Sequence, residues 1–239
     1  MRLLRGDGPL LRVGHRGAAL LAPENTLASF EAALAHGVDA IEFDVLALPG
    51  RPLLLGHSVD ELPDDPATLD EALEFLRSHD VAVHVDLKLT TRLDEVADAL
   101  ERHGLAARSV VSSFHLPSLA SFAARAAHVP VGFTYPEDRY GVSKRAVLRP
   151  AIRLGTLALR RAVVARVPGM LARAGAAALM LHHAVVSAAA IERAHAAGAA
   201  VWAWTVDDPV ELARLDAAGV DAVISNDPSI FSALATLPP

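Results

Sequence analysis

The chain has 239 residues, 52% of them hydrophobic, and a formal net charge of -6. That apolar share fills one sizeable core and excludes a disordered chain, and the acidic balance argues against a nucleic-acid binder. Cysteine is absent, which excludes disulfides, zinc–thiolate sites and a cysteine nucleophile.

In chain order, Leu10 to Val13 reads as a first strand, and Pro23 and Asn25 open a helix to about His36, stopped by Gly37. A second strand, Ala40 to Leu48, turns at Pro49-Gly50 into a short hairpin, Pro52 to Gly56, that delivers His57. Thr68 or Asp70 caps a helix to about Ser78; Val81 to Leu87 is the third strand; Thr90 or Thr91 starts a helix ending near Gly104. Ser109 to Ser113 and Val129 to Thr134 read as strands four and five, with a helix after Pro117 between them. Ala177 to Leu181, Ala200 to Val206 and Ala222 to Ser225 complete the strands. Helices follow from Ser187 to Gly198, from Pro209 to Gly219 and after Pro228.

Eight strands, each followed by a helix, count out to a single (β/α)8 TIM barrel over residues 1–239, near the usual size of about 250 residues. The competing arrangement is an open doubly wound sheet, but no Gly-rich phosphate loop follows the first strand. Between strands five and six, Arg139 to Arg173 is too long for one barrel helix and rich in arginine. It reads either as a helical excursion with a solvated basic face or as a weak membrane-surface contact. The N-terminus has no apolar stretch long enough for a signal peptide before the first strand, so the expected location is cytoplasmic. Oligomeric state is left open.

Side chains alternate across a strand, so Glu42 and Asp44 share one face while Ile41, Phe43 and Val45 share the other. Two acids on a buried strand are costly without a compensating cation, and a hard divalent ion with oxygen ligands suits them. In a barrel the C-terminal strand ends converge on one mouth. His15 and Arg16 end strand one, Glu42 and Asp44 lie late in strand two, and Asp86 and Lys88 end strand three. Lys88 and Lys144 are the only lysines in an arginine-dominated chain. Three carboxylates there make either a metal site or an ion-pair network with Arg16 and Lys88.

The run HRG at 15–17, PENT at 23–26, Glu42 and Asp44 in IE-x-D, and His57 after its hairpin resembles the glycerophosphodiester phosphodiesterase family. The resemblance continues through DLK at 86–88, SSF at 112–114, WTVDDP from Trp204 and DAVISNDP from Asp221. It implies a TIM barrel that hydrolyses glycerophosphodiesters to glycerol 3-phosphate and an alcohol. It implies Glu42, Asp44 and Asp86 as ligands of Mg2+ or Ca2+, Arg16 and Lys88 on the phosphate, and His15 and His57 as an acid–base pair. Glu24 would orient Arg16 or a substrate hydroxyl, Asn25 would cap a helix, and Trp204 would wall the substrate pocket or simply pack in the core. His84 would stand behind the acids. His115, His182 and His183 would line the mouth without a catalytic role. Asp86 stands where relatives usually carry glutamate, Ser58 where they usually carry aspartate, and only nine residues, 59–67, separate Ser58 from the next helix. Those departures keep two alternatives open: a lysophospholipase D or sphingomyelinase D-like lipid phosphodiesterase, and a non-catalytic barrel that binds phosphodiesters.

Overall fold

The computed structural model describes residues 1–136 and 149–236. Its elements begin with β1 (Leu11–Gly14), α1 (Leu27–Ala35), β2 (Ala40–Leu46), β3 (Leu54–Leu55), α2 (Leu69–Arg77), β4 (Ala82–Leu87), α3 (Leu93–Arg102) and β5 (Ser109–Ser113). They continue with α4 (Leu116–Arg125), β6 (Val131–Tyr135), α5 (Arg149–Ala174), β7 (Ala178–His182), α6 (Ala188–Ala196), β8 (Ala200–Trp204), α7 (Pro209–Ala218) and β9 (Ala222–Ser225). β1 pairs in parallel with both β2 and β9, and the parallel order β2–β4–β5–β6–β7–β8–β9 runs between them, so the sheet closes. This is the (β/α)8 barrel expected from the sequence. β3 is the short hairpin, antiparallel to β2, with Val45 opposite Leu55 and Leu46 opposite Leu54.

Strand alternation separates two cores. The odd residues of β2 face the helices: Phe43 meets Phe30 of α1 with ring centroids 5.4 Å apart, and both are fully buried. Burying one such side chain is worth about 1.5–3 kcal/mol. The other parity forms a second, smaller cluster containing Val13, Ala40, Val110, Ala178, Met180, Ala200, Trp202, Ala222 and Ile224. Trp202 closes it toward the N-terminal segment, its indole N–H donating to the Leu3 carbonyl at 3.2 Å. Farther along the same faces the inward residues turn polar: Glu42 and Asp44 on β2, His84 and Asp86 on β4, Ser112 on β5. The apolar floor thus leaves the C-terminal strand ends to carry chemistry.

Several element ends differ from the sequence reading for local reasons. α1 is capped by Thr26, whose hydroxyl accepts from the Ser29 N–H while the Ser29 hydroxyl accepts from the Thr26 N–H. Asn25 is therefore not the cap. Arg92, not Thr90 or Thr91, precedes α3, with a left-handed φ of 60°. β6 begins at Val131 because the Val129 N–H is committed to a turn on the Ala126 carbonyl and Pro130 has no N–H for the ladder. The segment Pro228–Thr236 is a 3-10 helix; the Asp227 carbonyl accepts from Ile230 three residues on, and its carboxylate accepts from the Ser229 N–H.

The excursion between β6 and β7 contains the 26-residue helix α5, which buries Val163, Val167, Met170 and Leu171. The part of the expected basic segment at 139–148 lies outside the described residues. Among the described residues no helix is long and apolar enough to cross a membrane.

Candidate active site

The turn after β1 is wound left-handed, with φ 49° at Arg16 and 84° at Gly17. A β-carbon at Gly17 would stand 2.3 Å from Ser29 Oγ and 2.6 Å from the Ser29 carbonyl carbon, so only glycine fits. The turn lies on the end of β2: the Arg16 N–H donates to Glu42 Oε2 at 2.8 Å and the Gly17 N–H to the Glu42 carbonyl at 3.0 Å. Arg16 Nη1 donates to Glu24 Oε1 at 2.6 Å. Arg16 Nε is 3.0 Å from Asp44 Oδ2 but not aligned as a hydrogen bond. His15 Nδ1 is 2.6 Å from Asn226 Oδ1, and its Nε2 stands 3.8 Å from Glu42 Oε2.

Parallel register sets Asp44 beside Asp86 and Asp86 beside Ser112. Glu42, Asp44 and Asp86 each offer a carboxylate oxygen within 4.8 Å of the others. Lys88 Nζ is 3.2 Å from Asp44 Oδ1 and donates to the Asp86 carboxylate. Ser112 Oγ donates to Asp86 Oδ1 at 2.5 Å and accepts from His84 Nε2 at 2.8 Å. Asn25, in a left-handed conformation, grips Asp44 twice: its Nδ2 donates to Asp44 Oδ2 at 3.1 Å, and its Oδ1 accepts from the Asp44 N–H at 2.9 Å. The hairpin of β3 brings His57 Nδ1 to 3.5 Å from Asp44 Oδ2. Trp204 stands at the mouth end of β8, its indole N–H on the Met180 carbonyl at 2.9 Å and its ring edge-on to Phe114.

Most of these side chains line one cavity of about 120 Å³, with Asn25 and Asn226 behind it. Eight of the nine expected site residues line it: His15, Arg16, Glu42, Asp44, His57, Asp86, Lys88 and Trp204. Glu24 stands outside and reaches it through Arg16. Of the other histidines, His84 lines the floor, while His115 caps α4, His183 holds Glu211 and His182 packs edge-on to Trp204. The sequence reading missed Asn25 as the partner of Asp44, and missed Ser112, Asp207 and Asn226. The usable signal was position, since polar residues at the C-terminal ends of β5, β8 and β9 face the mouth.

Charge is unevenly shared. Burial pushes Asp44 toward the neutral form, but Lys88, His57 and Arg16 outweigh it and hold its carboxyl well below the usual range. Burial, then the charges of Asp44 and Asp86, push Glu42 well above the usual range. Lys88 is raised: burial opposes its charge, but Asp86 and Asp44 outweigh it. Burial, then Arg16, lower His15 and favour its neutral form, and burial lowers His84 to about 4. Three buried carboxylates around two shared cations leave Glu42 uncompensated by the protein's own charges. A set of hard oxygen donors with that deficit fits a divalent ion.

The family model described as the Glycerophosphoryl diester phosphodiesterase family matches residues 15–57 and 58–230. The chain belongs to that family. A glycerophosphodiester phosphodiesterase from Caldanaerobacter subterraneus subsp. tengcongensis is 23% identical across 91% of this chain and 94% of its own length. Among solved structures, an Oleispira antarctica phosphodiesterase in complex with the product sn-glycerol-3-phosphate aligns with a TM-score of 0.72 at 22% identity, covering 94% of this chain and 96% of that one. A glycerophosphodiester phosphodiesterase from Agrobacterium tumefaciens aligns with a TM-score of 0.70 at 21% identity, covering 94% of this chain and 100% of that one. At those identities the solved structures speak for the shared barrel.

Proposed function

We propose that the protein hydrolyses glycerophosphodiesters to glycerol 3-phosphate and an alcohol, using Mg2+ or Ca2+ held by Glu42, Asp44 and Asp86. The observation that carries this reading is the meeting of three carboxylates, two cations and three imidazoles, His15 and His57 at the rim and His84 on the floor, in one cavity at the barrel mouth. Membership of the family and the relative that holds sn-glycerol-3-phosphate support the substrate class. When bound, the ion supplies positive charge to the phosphoryl oxygens, stabilising charge that builds in the transition state.

Arg16 and Lys88 bind the phosphate, the guanidinium with two donors in a plane and the ammonium as a point charge. Glu24 and Asp44 hold the Arg16 side chain from two sides. His15, kept neutral by burial and Arg16, takes the proton from the glycerol 2-hydroxyl as that oxygen attacks phosphorus. His57, whose ring faces the Asp44 carboxylate, gives a proton to the departing alcohol oxygen. Water then opens the cyclic phosphate, giving a proton to His57 while His15 returns its proton to the 2-oxygen. Both histidines end as they began. Trp204 and Phe114 wall the mouth.

The test is release of glycerol 3-phosphate from a panel of glycerophosphodiesters and lysolipids, with Mg2+, with Ca2+ and with EDTA. Activity confined to lysolipids would favour the lysophospholipase D alternative, and binding without turnover the non-catalytic one.

A further inference from the structure

Asp207 and Asn226 lie on the loops after β8 and β9, next to the turn after β1 that carries His15. Asp207 Oδ1 accepts from the Asn226 backbone N–H at 2.7 Å and from Ser225 Oγ at 3.0 Å. Asp207 Oδ2 accepts from Asn226 Nδ2 at 2.8 Å. An ionised carboxylate only accepts, so it fixes which end of the Asn226 amide it meets. Turned over, the amide would set its oxygen against the Asp207 carboxylate and its NH2 against His15. With the amide so held, Asn226 Oδ1 is the atom 2.6 Å from His15 Nδ1, and an amide oxygen accepts only. The imidazole must therefore donate from Nδ1. The His15 N–H also donates to the Ser225 carbonyl at 2.7 Å, tying the backbone to the same strand end.

We propose that Asp207, acting through the Asn226 amide, is a positioning residue that locks His15 in the tautomer with its proton on Nδ1 and its lone pair on Nε2, toward the cavity. The opposite tautomer would present an N–H to the substrate hydroxyl and could not accept its proton. This inference rests on the role of His15 as base, and it assigns a function to two polar groups that touch neither the three carboxylates nor the phosphate-binding cations. The lock joins the chain just beyond the ends of three neighbouring strands, β8, β9 and β1, and its hydrogen bonds are in place before substrate arrives.

The test uses the full chain in three forms: wild type, Asp207→Asn, and the swapped pair Asp207→Asn with Asn226→Asp. The single variant puts a donor and an acceptor within reach of Asn226 and frees the amide to turn. The swap places a carboxylate at position 226, which accepts from Nδ1 whichever way it faces, and restores the lock with the charge moved one residue inward. The readout is the His15 tautomer by nitrogen–proton correlation NMR, with the His15 signals assigned through His15→Gln, alongside steady-state kinetics. We expect wild type as the Nδ1–H tautomer, a mixture in Asp207→Asn with kcat lower by about 10- to 100-fold and KM changed less than about threefold, and recovery of both tautomer and kcat in the swap. An unchanged tautomer in Asp207→Asn overturns the proposal even if kcat falls, because the loss would then be structural. A swap that folds but does not recover the tautomer overturns it as well. The NMR arm needs no turnover, so a wild type that hydrolyses nothing would sink the proposed reaction while leaving the lock measurable.

Discussion

Asn25 offers a sharp perturbation, because it is buried, left-handed and bound to Asp44 through both ends of its amide. Asn25→Gly removes both hydrogen bonds and leaves a residue at ease with φ 58°. The lost bond to the carboxylate is worth about 1.5–3 kcal/mol, and the buried Asp44 N–H left without an acceptor costs about 1–3 kcal/mol more. Since both losses fall on one residue and relax together, about 3–5 kcal/mol is the expected total. Urea unfolding of metal-free protein should show this as a midpoint lower by about 1–2 M with little change in slope. Asn25→Ala should be no more stable, since a β-carbon in the left-handed region costs about 1–2 kcal/mol, partly offset by a stiffer unfolded chain. A loss below about 1 kcal/mol for Asn25→Gly would refute the reasoning, as Asp44 would then need no such clamp.

Further predictions follow from the same geometry. Glu42→Gln should raise the stability of metal-free protein, because it removes the buried charge that Asp44 and Asp86 repel, and should abolish stabilisation by Ca2+ or Mg2+; thermal unfolding with and without the ions checks both. Gly17→Ala should destabilise by about 2–5 kcal/mol, from overpacking against Ser29 added to left-handed strain, and calorimetry would read it as a large fall in Tm. Arg214, aided by His183, holds Glu211 down to about 2 against the effect of burial. A folded pKa below the unfolded value of about 4.3 contributes stability that is full above that value and lost as pH falls toward 2. For a half-buried pair at the surface solvent screening keeps the contribution under about 1 kcal/mol, so the gap in urea midpoint between wild type and Glu211→Gln should be small at pH 7 and close as pH falls from about 5 toward 2.

The barrel was legible because its signals are local. Runs rich in valine such as Val81 to Leu87, set between the end of one helix and the start of the next, mark strands at any register, and alternation alone put Glu42 and Asp44 on one face. The joining of Asp86 and Lys88 to them followed once a parallel barrel was accepted. The hydrogen-bond partners were not legible. Asn25 meets Asp44 across 19 residues, and His15 meets Asn226 across 211, so no periodicity links them. Asn25 was also masked by its neighbour: polar residues before a helix are good caps, and Thr26 took the cap while the backbone turned Asn25 inward. Ser112 looked like an ordinary strand residue until β5 lay beside β4 and its hydroxyl reached Asp86.

The most direct test of the central claim is glycerol 3-phosphate release from glycerophosphoethanolamine by the wild-type chain, followed through metal removal with EDTA and restoration with Mg2+ or Ca2+. Asp44→Asn would be assayed beside it. The account predicts product with the ion, loss of product on chelation, recovery on adding the ion back, and little product from Asp44→Asn under any of these conditions. Undiminished release after chelation, or full release by Asp44→Asn, would contradict it.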